Sequence, residues 1–291
     1  MTLDSSWHNR ATRNRSGIRW VVAHHQEAQA LIQWFQMKVL IQSDPYTVYT
    51  DDSGTHYLIL SGQGRLAAAA ATAFLYAYTA SDRSTAWINF GTAGHSHLPL
   101  GQLVLANRIV EQQTAKIWYP SLVFSTTIQS SGLICSSKIE TTYTEEALYD
   151  MESAGFYNSA ARFTSHELVH CLKIVSDNRE STASIVRAHG VMEELESMRP
   201  AIGTFVDQLL ELSRQESVRL MPPREFQAFI QQWKFSVTQR HQLASLLRQW
   251  ESMAIEQTAF SALSRLDLSG KAVLATLSQL LHQHAYHLPR P

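Results

Sequence analysis

From Ile18 onward the chain alternates two kinds of apolar run, and this alternation constrains the fold more than any other feature. Short runs such as "IRWVVA" and "TAWINF" are rich in β-branched and aromatic residues and read as buried strands. Longer runs between them carry helical spacing. In "QEAQALIQWFQMKV" the apolar Ala28, Leu31, Ile32 and Phe35 fall on one helical face. "YTVYTDDSGTHYLILSG" reads as a hairpin turning at Asp52-Ser53-Gly54. "LAAAAATAFLYAYTA" is too short and too alanine-rich for a good membrane span, so it reads as a buried helix. "TAWINFGTAG" predicts a strand followed by a glycine turn, and "QLVLANRIV" and "SLVFST" predict further strands. "EEALYDMESAGFYNSAARF" predicts a long helix, "VHCLKIVSD" a last buried strand, and 201–214 a helix after it. Such alternation implies an α/β domain with a mixed, mainly parallel sheet flanked by helices.

The character changes at Pro222-Pro223. "FQAFIQQWKF", "TQRHQLASLLRQWESM" and "GKAVLATLSQLLHQH" are all helical in period, with Phe226, Ile230, Trp233, Leu243, Leu246, Leu247 and Trp250 among their apolar positions. The expected organisation is a polar tail over 1–17, an α/β domain over 18–214 and an all-helical extension over 215–291.

Composition narrows the functional classes. At 291 residues and 45% hydrophobic content, the chain can bury a substantial core. A net charge of -1, without blocks of like charge, favours neither nucleic acid nor an anionic membrane as partner. Two cysteines, Cys135 and Cys171, are too few for a disulfide scaffold, and reduced thiols in the cytoplasm are expected. The first residues lack the apolar core of a secretory signal.

"HELVH", His166 to His170, matches the zinc-protease pattern H-E-x-x-H. That pattern needs a helix to bring both rings to one ion. Here the helix is expected to end near Phe163, and His170 opens a strand. Residues four apart on a strand lie about 13 Å apart, too far to share a metal. No metal site is expected, and the histidines read as loop residues.

Three other stretches carry more chemistry. "YLILSGQGRLAAA" runs a strand into Gly62-x-Gly64-x-x-Ala67 and then a helix, the shape of a dinucleotide fingerprint. The acid that such a site needs after the next strand is missing, since "AWINF" offers Asn89. A tight strand-to-helix turn and a turn facing another ligand both stay open, and no cofactor is expected. "INFGTAGH" is a strand running into small residues, with Thr92 adding a hydroxyl. "YDMESAGFY" places Asp150 and Glu152 near a helix start, where acids also simply suit the helix dipole.

In this order, "SGQGRLAAAAAT", "INFGTAG", "YDMESAGFY" and "KIVSD" resemble the nucleoside phosphorylase and nucleosidase superfamily. The match runs from about Arg19 to Arg214 and is nearest in motifs to methylthioadenosine/S-adenosylhomocysteine nucleosidases. The resemblance implies a three-layer phosphorylase-like domain acting on a nucleoside, as a homo-oligomer (a dimer or higher). It implies that Asp177 is the general acid toward the purine, oriented by Ser176 and holding its proton with the help of burial. It implies that Glu152 grips the ribose hydroxyls, that Met151 packs on the sugar, and that Thr92, Ala93 and Gly94 line the ribose and the nucleophile. Where the family has a base-stacking aromatic, "GLICS" places Cys135. Glu27 lines up with the glutamate that activates water, although a first-turn helix acid is the plainer reading. The arginines that phosphorylases use for phosphate are absent at the matching places, although Arg65 and Arg108 stand elsewhere. His24, His25 and His95 could line the pocket, though lone histidines more often sit in loops. Hydrolysis of a purine or thio-nucleoside is therefore favoured. Phosphorolysis with phosphate as co-substrate is the first alternative, and a non-catalytic nucleoside-binding or interaction protein the second.

Overall fold

The computed structural model describes residues 17–180, 190–253 and 258–286, so all but the last residue of the expected polar tail lies outside the described residues. The chain divides into two compact units, Met1–Leu220 and Met221–Pro291. The division falls beyond the expected 214/215 boundary because the last helix of the first unit continues to Leu220.

In chain order the first unit contains β1 (Ile18–Val22), α1 (His25–Trp34), β2 (Lys38–Ser43), β3 (Tyr46–Thr50), β4 (His56–Leu60), α2 (Arg65–Tyr78), β5 (Ala86–His95), β6 (Leu103–Glu111), β7 (Lys116–Trp118), β8 (Gln129–Cys135), β9 (Leu148–Asp150), α3 (Ser153–Ala160), β10 (Val169–Asp177) and α4 (Gly190–Leu220). All the strands join one sheet. Parallel pairing links β4, β1, β5 and β10, and links β6, β8 and β9. Antiparallel pairing makes the β2–β3–β4 meander and joins β5 to β9, β6 to β10 and β6 to β7. The sheet is mixed, with antiparallel pairings as numerous as parallel ones. Because β5 pairs both β10 and β9, the strands β5, β10, β6, β8 and β9 close into a ring.

Alternation along β1 explains the three layers. Ile18, Trp20 and Val22 face a core shared with Ala28 and Leu31 of α1 and with Ile202, Phe205 and Leu209 of α4. Val21 faces the opposite core, filled by Ala68, Ala71 and Leu75 of α2 and Phe156, Tyr157 and Ala160 of α3. Covered on both faces, β1 is wholly buried, as its continuous apolar run requires. The two helices of the second layer approach closely. A Cβ at Gly155 of α3 would stand 1.8 Å from the Arg65 carbonyl oxygen at the start of α2, so only glycine fits there.

Four local readings are corrected. The helix expected to reach Val39 ends at Trp34, because Gln36 adopts a positive φ of 50° and closes a Schellman turn. There the Met37 N–H donates to the Ile32 carbonyl at 2.8 Å, and Lys38 starts β2. "SLVFST" is not a strand; Phe124 packs its ring on Phe205 with centroids 5.3 Å apart. "FGTAG" is no turn: β5 continues to His95, held in register by β10. The helix expected from Glu145 starts only at Ser153, because Leu148–Asp150 is drawn into the sheet between β5 and β8.

The second unit contains α5 (Phe226–Gln232), α6 (Val237–Ser252), α7 (Ala259–Leu263) and α8 (Gly270–Tyr286). Phe229, Trp233, Leu243, Leu247, Leu263 and Leu277 form its core. Ser236 caps α6 in a reciprocal box: its hydroxyl accepts from the Gln239 N–H, and its own N–H donates to the Gln239 side chain at 2.8 Å. Among the described residues no helix is long and apolar enough to cross a membrane.

Candidate active site

The carboxyl ends of the parallel strands β4, β1, β5 and β10 deliver polar groups to one cleft of about 200 Å³. This is where ligand sites form in α/β sheets generally. The turn after β1 supplies His24 and Glu27, and the turn after β4 supplies Gln63. The end of β5 gives Thr92, Ala93 and Gly94, and the end of β10 gives Ser176 and Asp177. Met151 and Glu152 enter from the link between β9 and α3. An adjoining chamber of about 270 Å³ at the start of α2 shares Gln63, Ser136 and Met151 as lining residues.

Each carboxylate is held by a different device. Glu27 sits in the first turn of α1, and its Oε1 accepts from both the N–H and the hydroxyl of Thr92, at 2.7 and 2.8 Å. Its Oε2 accepts from the His24 N–H at 3.2 Å. Glu27 therefore works both as a helix acid and as a group bolted to the cleft floor. Asp177 owes its place to a β-bulge: Val175 pairs Ala93 and Asp177 pairs Gly94, leaving Ser176 as the extra residue. The bulge turns two adjacent side chains toward the same cleft, which plain strand alternation forbids. The Ser176 hydroxyl donates to Asp177 Oδ1 at 2.5 Å, and the Tyr143 hydroxyl donates to Oδ2.

Beneath the cleft lies a buried charge cluster. Lys173 Nζ stands 2.9 Å from Asp150 Oδ2, with both side chains essentially inaccessible. Asp150 also accepts from the Ser153 N–H and hydroxyl, at 3.0 and 2.6 Å, which satisfies the first amide of α3. Burial alone would push the Lys173 ammonium down, but Asp150 and Glu152 outweigh it and its pKa is raised. Burial, then the Asp150 charge, raise the Glu152 carboxyl, opposed by Lys173 and by the Gly64 amide. That amide donates to Glu152 Oε1 at 2.7 Å. The glycine turn that looked like a dinucleotide fingerprint thus spends its helix-start donor on a carboxylate of the protein itself. Asn89, where such a fingerprint would want an acid, is buried and donates to the Val21 carbonyl at 2.9 Å.

Glu27, Thr92, Ala93, Gly94, Met151, Glu152, Ser176 and Asp177 all line the one cleft. Cys135 does not. It shares the α2–α3 core with Leu133, two residues earlier on β8, and burial pushes its thiol up to about 12. The next residue, Ser136, reaches the cleft in its place, followed by Lys138, Ile139 and Glu140. No base-stacking aromatic replaces the cysteine on that strand.

The histidines and arginines are dispersed. His24 lines the cleft, whereas His25 is exposed and faces the Tyr49 ring with centroids 6.3 Å apart. His95 is buried, and its Nδ1 accepts from the His97 and Leu98 N–H groups at 3.2 and 3.1 Å. Arg65 lines the adjoining chamber and is paired with Glu111. Arg108 lies 3.5 Å from Glu145. Neither lines the cleft of Glu27 and Asp177. In "HELVH", His166 sits on a 3₁₀ turn with its Nδ1 3.3 Å from the Tyr157 hydroxyl, and His170 is buried on β10 with its Nε2 3.0 Å from the Glu167 carbonyl. Burial lowers His170 to about 4. Each ring is thus engaged in its own surroundings.

No family model and no curated protein matches the chain. Solved structures do. A 5′-methylthioadenosine/S-adenosylhomocysteine nucleosidase from S. pneumoniae, bound to the transition-state inhibitor MT-ImmA, superimposes with a TM-score of 0.50 at 18% identity, over 67% of this chain and 98% of that one. The Helicobacter pylori nucleosidase with butyl-thio-DADMe-Immucillin-A gives 0.51 at 12%, over 67% and 98%. The Colwellia psychrerythraea 34H nucleosidase in complex with adenine gives 0.51 at 17%, over 69% and 96%. The chain has the fold of these nucleosidases.

Proposed function

We propose that this chain is an enzyme that hydrolyses the N-glycosidic bond of a purine or thio-nucleoside. The observation that carries this reading is that Glu27 and Asp177, supplied by opposite ends of the sequence of the first unit, line one cleft together with Thr92, Met151 and Glu152. Cleaving an N-glycosidic bond requires protonation of a poor leaving group, stabilisation of an oxocarbenium-like sugar and a positioned nucleophile. Asp177 gives its proton to N7 of the purine as the bond from C1′ to N9 breaks, and the base leaves neutral. Glu152 and Met151 hold the sugar. Glu27 takes a proton from water as the water oxygen bonds to C1′. Solvent then restores both carboxyl groups to their starting states. Of the nucleosidases of like fold, the one from S. pneumoniae binds the transition-state inhibitor MT-ImmA, the one from H. pylori butyl-thio-DADMe-Immucillin-A and the one from C. psychrerythraea adenine.

Water is favoured over phosphate by the arrangement of charge. The cleft's lining holds the carboxylates Glu27, Asp150 and Glu152, the acid Asp177 and one lysine, Lys138, and contains no arginine. Arg65 and Arg108 face Glu111 and Glu145. A phosphate would find no guanidinium in this lining to bind it through two parallel hydrogen bonds. The test is base release from methylthioadenosine, S-adenosylhomocysteine, adenosine, inosine and uridine, with and without phosphate. The expected outcome is release of a purine base and free sugar at a rate that phosphate leaves unchanged. Release that requires phosphate would make the chain a phosphorylase and remove Glu27 from the mechanism.

A further inference from the structure

Tyr143 is a residue that no sequence motif marks, and its hydroxyl touches the proposed acid directly. It lies in the loop between β8 and β9 and is 2% exposed. Its hydroxyl donates to Asp177 Oδ2, while Ser176 occupies Oδ1 at 2.5 Å. Several contacts fix the ring. It meets Tyr149 edge-on, with centroids 5.5 Å apart. Its carbonyl accepts from Arg179 Nη2 at 2.6 Å. A Cβ at Gly94 would fall 2.5 Å from the Tyr143 Oη and 2.8 Å from Asp177 Oδ2, so the bare backbone at Gly94 makes room for this pair. Burial, then the hydrogen bond to Asp177, raise the phenol's pKa, so it is a neutral donor across the physiological range.

We infer that Tyr143 is a positioning residue for proton donation, holding Asp177 through Oδ2 and stabilising the carboxylate that forms as the base departs. The inference rests on the hydrolytic reading above. A carboxylate oxygen has more than one lone pair, so Oδ2 can hand its proton to N7 while still accepting from the phenol. As the proton leaves, Asp177 gains negative charge. The phenol hydrogen bond then changes from neutral to charge-assisted and strengthens. A bond that tightens along the reaction lowers the barrier, whereas one of constant strength does not. Ser176 acts in the same sense on the other oxygen.

This role makes a prediction that a merely structural tyrosine does not. Assistance to the acid matters for a purine, which must be protonated to leave, and not for 4-nitrophenolate, which leaves as a stable anion. The experiment compares wild type and Tyr143→Phe on the best purine nucleoside of the panel and on 4-nitrophenyl β-D-ribofuranoside. Phenylalanine keeps the ring contact with Tyr149, and the nitrophenyl riboside reports whether the cleft is intact. The expected result is a fall in kcat of about 10- to 100-fold on the purine nucleoside, with kcat on the nitrophenyl riboside within about twofold of wild type. An equal fall on both substrates would make Tyr143 structural and overturn the inference, as would no fall on either. Wild type that cleaves neither substrate would overturn the hydrolytic reading, and the tyrosine's role with it.

Discussion

The two units of this chain bury different chemistry. The helical unit, Met221–Pro291, has a core of Phe229, Trp233, Leu243, Leu247, Leu277 and similar side chains. The sheet unit buries comparable apolar cores, and at its cleft it also buries Asp150 and Glu152 of the lining with Lys173 behind them. Burying charge is expensive, and a well-packed apolar replacement is often as stable or more so. Three charged side chains stand together at this cleft, and among the described residues the core of the helical unit contains none, so packing alone does not account for the cluster. In the sheet unit the cluster holds Glu152 against the Gly64 amide and Asp150 against the start of α3. The core cluster of the helical unit is apolar throughout.

Mutations sharpen this contrast. Lys173→Met should have the largest effect on stability. It leaves Asp150 buried without its counter-charge, and breaking such a pair typically costs about 3–5 kcal/mol. Denaturant unfolding should show the loss, and base release should fall with it, because Glu152 loses its nearest cation. If Lys173→Met proved neutral in both assays, the cluster would be incidental and the contrast would collapse. A smaller effect is expected in the other unit. Leu277→Ala removes a fully buried side chain and should destabilise by about 2–5 kcal/mol. Its kcat/KM for base release should match wild type under conditions where the variant is folded. Loss of turnover in that folded variant would show that the helical unit takes part in the chemistry.

Much of the site could be read from the sequence, and the reasons differ by residue. Glu27, Thr92, Glu152 and Asp177 sit in short stretches whose types and order survive without knowledge of the tertiary structure. Their approach in space follows from parallel strands ending on one side of the sheet. The place of Cys135 is not legible in the sequence, because its neighbours say nothing about the phase of β8. A strand points successive side chains to opposite faces, so a one-residue error exchanges core for cleft, and Ser136 is the residue that faces it. "LYD" reads as helix in the sequence because a three-residue strand is too short to show a period, and only the closure of the ring by β5 and β8 makes it a strand. Tyr143 was missed for a different reason. It stands alone in the polar loop "SSKIETTYTEE", and its contact with Asp177 exists only once the loop folds back over Gly94.

The central claim is that Asp177 acts as the acid of a hydrolytic cleft, and the most direct measurement is phosphate-free release of a purine base by wild type and by Asp177→Asn. Asparagine keeps the size of the side chain but carries no transferable proton. The prediction is clear release by wild type and a loss of about 10²–10⁴-fold in kcat for the variant, the range a positioned general acid supplies. Release at an undiminished rate by Asp177→Asn would contradict the claim.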